Sequence, residues 1–554
     1  MFKNLFIRGA RFLFHRQSSV LSAAVILMIT YAGSMVLGIL RERVLVAHFY
    51  SCCSSSLDAY IAAFRLPDMI FQLVVLGALS AAFIPVFSEQ LVKDEKLAYR
   101  ISSAVVTILV VFYLFLAGII FIFTEKFSLL ITGGFTREQI HLMSGLTRIM
   151  LFAQGFFLIS DFLSAIIQSH RRFIIPAVAP LLYNLGIIAG VVFLAPIMGL
   201  WSAAVGVVIG AFLHLLVQVP LVFRLGFSYR FSLDYRLAGV KEIFRLMLPR
   251  SLGLAIYQVE ATVAVFLATS LPAGSLTIFY LSQKLMDLPV RLFGTSIGQA
   301  ALPLLSEQKA KTDETAFRET LISSLGEILY LALPATAAIL ILRIPLVRIA
   351  FGAKTFPWQA TILTGRVVAL ISLAIFSQSM TQLLVRGFYA RHNTKTPFFI
   401  ALVSVTVNIL MGTGFIFILS RGVTGLALAT SVSSFIQASL LLIFLEKQIG
   451  GLLTKETIID WLKMTLAAIL AGVTFWATMK FLDLFILDTS KTFNLLFLTA
   501  VTTLSGLVVY FFTGRILKIK EGNRYLEVLS KIRKINRFFS PPPEIIGNGQ
   551  NFAA

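Results

Sequence analysis

Apolar runs of about 20 residues recur from Ser19 to Phe512, separated by short polar stretches that often carry glycine or proline. The runs are continuous rather than alternating. They predict helices rather than barrel strands, and as helices they are long enough to cross a bilayer core of ~30 Å. Combined with loop charge, the pattern predicts about fourteen spans. Six fall near 19–49, 58–90, 101–124, 140–168, 174–197 and 199–223, and six near 240–270, 273–306, 318–350, 358–388, 396–419 and 421–445. The last two fall near 457–483 and 492–514. The expected fold class is an all-α polytopic membrane protein.

Composition agrees. Of 554 residues, 58% are hydrophobic and 13% charged, about half the charged share of a soluble domain. Lys3, Arg8, Arg11 and Arg16 precede the first run as they would in a secretory leader. No small-x-small site and polar mature segment follow, so the run is expected to stay as the first span. The net charge of +21 would suggest nucleic acid in a soluble chain. Here the basic loops, such as "LVKDEKLAYR", "SHRRF" and "ARHNTKT", alternate with loops poor in Lys and Arg, Lys126 and Arg137 excepted. That alternation is the positive-inside pattern, which puts both termini in the cytoplasm and calls for no nucleic acid. The adjacent Cys52 and Cys53 are assigned no role.

The chain repeats itself. "FIPVFSEQ" closes the second span and "ALPLLSEQ" the eighth, matching Pro85, Ser88, Glu89 and Gln90 to Pro303, Ser306, Glu307 and Gln308. "AYIAAFRLPD" resembles "FYLSQKLMDLP", and "HRRFIIP" parallels "ARHNTKTP". An even number of spans separates the copies, so they run in parallel orientation, a transporter plan that places the substrate between the halves. The expected organisation is a basic N-terminus (1–18), an N-lobe of six helices (19–224) and a C-lobe of six (239–447). Two extra helices (456–514) and a basic tail (515–554), disordered at its end, complete the chain.

Charges lie where lipid should be. Arg41, Glu42, Arg43, Arg65, Arg250, Glu260, Lys284, Asp287 and Arg291 fall within or beside spans. A lipid-facing charge at the bilayer centre costs ~2.5–3.5 kcal/mol, so these must face protein or water. Lys284, Asp287 and Arg291 stand at i, i+3 and i+7, on one face of the eighth span. The charges converge on spans one, two, seven and eight, and their positive excess calls for an anionic ligand. Mutual pairing, as of Glu42 with Arg65, is the bland alternative for some of them. No phosphate-cradling loop occurs, because "FGAKT" has Ala353 where a glycine is needed, and no metal or nucleophile motif is present. Neither an enzyme nor a bound cofactor is expected.

"VLGILRERVLVAHFY", "LDAYIAAFRLPD", "RRFIIPAVAPLLYN", "KLMDLPVRLFGTSIGQAALPLLSEQ" and "RGFYARHNTKTP" resemble the MurJ (MviN) family, lipid II flippases of the MOP exporter superfamily. The resemblance runs over about residues 30–450. It implies a protein of the bacterial inner membrane that moves undecaprenyl-pyrophosphate-linked disaccharide-pentapeptide from the inner to the outer leaflet by alternating access. It also implies a cationic cavity between the lobes and a lipid-tail groove on the last two helices; the partners would be lipid II and membrane lipids, with the coupling ion left open. Carried over residue by residue, Arg41–Glu42 is the family's arginine–acid pair, with Glu for Asp. Lys284 stands for its span-eight arginine, Asp58 for its acid opening span two, and Arg65 for its basic residue before Leu-Pro. Arg250 and Arg291 complete the expected cavity set.

Two family arginines are missing, at Met35 in "GSMVLG" and at Phe71. If Tyr60 aligns with Tyr280, the repeat relates Phe71 to Arg291, which could restore one charge. The departures keep open an exporter of another polyprenyl-linked glycan; a non-transporting scaffold is the reading from outside transport.

Overall fold

The structure is a computed structural model that describes residues 20–76, 83–170, 172–352 and 356–522. The expected basic N-terminus (1–18), most of the basic tail and Ala353 lie outside the described residues. The described residues are mostly helical and contain no strand.

The N-terminal half comprises α1 (Val20–Ala63), α2 (Arg65–Phe71), α3 (Ile84–Lys93), α4 (Glu95–Ile122), α5 (Thr124–Ile131), α6 (Arg137–Ser169), α7 (Ile174–Met198), α8 (Trp201–Leu216) and α9 (Val219–Arg224). The second half comprises α10 (Ala238–Thr269), α11 (Ser275–Pro289), α12 (Ser296–Ala310), α13 (Glu314–Ile341), α14 (Arg343–Phe351), α15 (Trp358–Ser372), α16 (Ile375–Ala390), α17 (Lys395–Thr413) and α18 (Gly422–Ile449). The additions are α19 (Lys455–Phe485) and α20 (Thr492–Ile516).

α1 holds both the first span and the start of the second. Its helix breaks at Cys53, which is non-helical at φ −152° and ψ 48°. The chain folds back there, so that Tyr60 on the second arm lies near Arg41 and Glu42 on the first.

The repeat is visible element by element. Two π turns, Gln72–Leu76 and Val290–Thr295, begin 218 positions apart, the same separation as Pro85 and Pro303. α4 and α13 are both 28 residues long, and each is N-capped by an aspartate, Asp94 and Asp313. Each cap supplies a carboxylate to amides that the first helical turn leaves unpaired. α3 and α12 carry the same i,i+4 ion pair, Lys93–Glu89 and Lys311–Glu307. The short α5 and α14 follow α4 and α13 in the same order. Sequence patterning had absorbed α14 into a single span near 318–350; in the structure the span ends at Ile341 and a separate helix starts at Arg343.

Among the described residues, nine helices are long and apolar enough to cross a membrane, or ten if the pair α15–α16, bent by 41°, counts as one span. These are the expected spans three to six and nine to fourteen. The four that do not meet that measure are spans one, two, seven and eight, which carry the charges. They are the innermost elements: α1 packs on α11, and the π turn after α2 packs on α10. The repeat exchanges these two contacts, as a pseudo-twofold axis along the membrane normal would.

Buried side chains form two cores. One joins the N-lobe to Val240 and Ile243 at the start of α10, to Ala332, and to residues 267–290, 347–375 and 416–427 of the C-lobe. The other, built from Leu305, Phe317, Leu325, Phe388, Leu445, Phe475 and Tyr510 among others, contains no N-lobe residue. The halves therefore share a core at the α14 end of the molecule, while at the end where Ile519 packs most of the C-lobe has an interior of its own and only the start of α10 joins the N-lobe. Large apolar side chains such as Phe115, Ile122, Phe193 and Ile197 stay exposed on the outer helix faces, as lipid-facing side chains do.

Candidate functional site

The three consecutive charges of α1 separate because neighbouring helix positions point about 100° apart. Arg41 donates to the Glu42 carboxylate and to Asn184 Oδ1 at 3.2 Å, and its guanidinium carbon stands 5.9 Å from the Tyr183 ring. Glu42, buried at 5% exposure, accepts a second hydrogen bond from Tyr280 of the other lobe at 3.0 Å. Arg43 turns away and donates to the Ile349 carbonyl at 2.6 Å. Glu42 thus pairs with Arg41, not with Arg65.

Arg65 closes the second inter-lobe contact. Its Nε donates to Thr262 Oγ1 and an Nη to the Gln258 carbonyl, both at 2.9 Å, and it also bonds the Gln258 side-chain oxygen. Gln258 in turn donates to Gln72 at 2.5 Å. Asp68, one turn on from Arg65, accepts from Gln154 at 2.5 Å and lies within electrostatic reach of Arg65 and Lys284. Sequence reading passed over Asp68, although its i+3 spacing from Arg65 is a usable signal. With Asp68 counted, Arg41, Arg65, Lys284 and Arg291 face Glu42, Asp68 and Asp287, a smaller positive excess than the sequence suggested. Asp161, in the last third of α6, is a second overlooked acid within a span.

Lys284 and Arg291 are different. Lys284 Nζ stands 4.9 Å from the Tyr280 ring centroid, and Asp287 lies within electrostatic reach of both cations. Among the described residues neither cation has a hydrogen bond or an ion pair within 4.0 Å. The one-face placement expected from spacing holds, and Arg291 is exposed at the start of the π turn.

Asp58 stands elsewhere. Buried at 2% exposure, it accepts from Gly274 N at 2.6 Å, Thr277 N at 2.8 Å and Thr277 Oγ1 at 2.6 Å. It caps α11 from the opposite lobe, and its acceptor capacity is used on structure rather than on a cavity. Arg250 is in α10, with its side chain outside the described residues. Phe71 packs edge-on against Phe157, ring centroids 6.2 Å apart. The 218-residue offset of the π turns pairs Phe71 with Pro289, so the repeat does not place Arg291 at its equivalent position. No group of three or more metal-ligating side chains occurs among the described residues.

Two sequence-related helical halves meeting at a charged, polar seam, with nine or ten helices among the described residues able to cross a membrane, have the architecture of a multi-pass membrane transporter. Solved structures agree: the fold matches an inward closed lipid II flippase MurJ at a TM-score of 0.74, with 24% identity over 89% of this chain and 98% of that one. An inward-facing MATE-family multidrug transporter of the MOP superfamily matches at 0.63 and 13% identity, over 77% and 98%. Residues 52–496 match the family model described as lipid II flippase MurJ, and the chain belongs to that family. A probable lipid II flippase of Bdellovibrio bacteriovorus is 28% identical over 92% of this chain and 97% of its own length. One from Thermotoga maritima is 30% identical over 72% and 80%.

Proposed function

We propose that this chain is a lipid II flippase of the bacterial inner membrane, carrying the polyprenyl-pyrophosphate-linked glycopeptide from the inner to the outer leaflet by alternating access. Lys284 and Arg291, on one face between the lobes, are the receptors for the pyrophosphate. The observation that supports this is their lack of a bonded partner among the described residues, beside a seam whose other charges are engaged. Arg41–Glu42, Arg65 and Asp68 form the polar wall that keeps that seam hydrated and in register. Arg250 is assigned to the same cavity.

Both chain ends lie in the cytoplasm in this reading, so the shared core faces outward and the C-lobe's own interior faces inward. Asp58 is a latch on the outer side, aided by Gly133 N donating to Thr269 Oγ1 at 2.9 Å and by Tyr50 packed on Phe356, ring centroids 4.7 Å apart. A membrane potential, inside negative, favours outward movement of an anion by ~2.3 kcal/mol per charge per 100 mV, a driving force that needs no nucleotide site. Met35 and the apolar packing of Phe71 favour, as the second reading, a different polyprenyl-linked glycan. The deciding experiment is rescue of a bacterium depleted of its own lipid II flippase. Rescue that Lys284→Ala with Arg291→Ala abolishes, at unchanged membrane level, supports the assignment; rescue by that double variant refutes the site.

A further inference from the structure

The outward end of the C-lobe holds a cavity of about 300 Å³ where α13 passes into α14 beside α19 and α20. That volume is at the lower end of the range for small-ligand sites. Three cations line it, Arg343, Arg348 and Lys480, against one carboxylate, Asp483. Asp483 is itself engaged, accepting from Thr489 Oγ1 at 2.9 Å. Arg343 spends one Nη on the Leu340 carbonyl at 2.8 Å, and Arg348 stands 5.7 Å from the Trp358 ring. Neither arginine has an ion-pair partner among the described residues, which leaves guanidinium donors for an anion.

The cavity is amphipathic in the sense a membrane surface requires. Trp358 and Trp476, 56% and 54% exposed, flank the charges, while Ile341, Leu495 and Leu498 line the rest. Tryptophans of this exposure mark the headgroup level of a bilayer. The positive-inside rule gives no reason for three cations at this end, because it is opposite to the basic loops. The N-lobe supplies no equivalent: α5 corresponds to α14, but nothing there corresponds to α19 and α20.

We propose that this cavity binds the phosphate of an anionic glycerophospholipid head group in the outer leaflet. Arg343 and Arg348 hold the phosphate oxygens, Lys480 adds a point charge, and the two tryptophans cover the glycerol. The site is separate from the seam between the lobes and does not depend on the transported substrate.

The test is tryptophan quenching in the full chain reconstituted into nanodiscs, with Trp201→Phe and Trp461→Phe leaving Trp358 and Trp476 as reporters. Brominated phosphatidylglycerol is expected to quench at lower mole fraction than brominated phosphatidylcholine. Each basic residue near an anionic lipid strengthens association about fivefold, so Arg343→Gln, Arg348→Gln and Lys480→Gln together should erase the preference. Asp483→Asn should increase it, a change of sign that a merely structural role would not produce. Arg348→Lys should retain most of it and reports on folding. Equal quenching by both lipids in the parent, or an intact preference in the triple variant, overturns the proposal. Displacement of the brominated phosphatidylglycerol by inorganic phosphate at low millimolar concentration also overturns it, by assigning the cavity to a soluble anion.

Discussion

Arg41 and Glu42 show what a buried ion pair does at single-residue scale. Removing one partner of such a pair strands a charge at a cost of about 3–5 kcal/mol, whereas replacing both by apolar groups is far less damaging. Glu42→Gln is therefore expected to lower the melting temperature more than Arg41→Met with Glu42→Met. The double variant should still abolish rescue of a flippase-depleted strain, which separates folding from transport. Lys311–Glu307 offers a titration at the membrane surface. The hydrogen bond from Lys311 holds the Glu307 carboxylate below the ordinary glutamate range. A depressed carboxylate adds stability above its unfolded pKa of ~4.3, and that stability is lost as pH falls through the lower folded value. The melting difference between the parent and Glu307→Gln should be small at pH 7, shrink with added salt, and vanish as pH drops below the glutamate range.

At the scale of elements, α7 and α8 meet backbone to backbone. A Cβ on Gly186 would come within 2.4 Å of Gly210 Cα, and one on Gly190 within 2.5 Å of Gly206 Cα. Small residues four apart on both helices allow this approach, which in lipid replaces the hydrophobic drive that water would supply. Gly190→Ala should push the helices apart and destabilise the N-lobe by ~1–3 kcal/mol, read as a lower melting temperature in detergent. Phe193→Ala, at a position of α7 that is 74% exposed, should by contrast change the melting temperature little.

At the scale of the molecule, the lobes share an apolar core at the α14 end, and polar ties reinforce it there. Asp58 makes three hydrogen bonds to α11 across the boundary. Asp58→Asn keeps the shape but replaces one acceptor with an NH2 group that faces a donor, the Gly274 amide on one side or the Thr277 amide and hydroxyl on the other. It should shift the population toward an outward-open arrangement. Spin labels at Glu138→Cys and Ala273→Cys, in a background with Cys52→Ser and Cys53→Ser, should report a longer outer distance in the Asp58→Asn protein. An unchanged distance distribution removes Asp58 as the latch.

Hydropathy alone determined the all-helical membrane class and the positions of the long apolar helices, because a bilayer imposes length and composition on each crossing segment independently of its neighbours, and matched motifs such as "FIPVFSEQ" and "ALPLLSEQ" exposed the repeat. The one-face placement of Lys284, Asp287 and Arg291 was equally legible, since helical periodicity is local. Partner choice was not. Glu42 taking Arg41 and Tyr280, Arg65 taking Gln258 and Thr262, Asp58 capping a helix more than 200 residues away, and Asp68 entering the charged seam were all decided by the tertiary structure. So was the split of the ninth run into α13 and α14, which places Arg343 and Arg348 in a cavity instead of a span. A charge in lipid must find a partner, and which partner it finds depends on how helices distant in sequence cross.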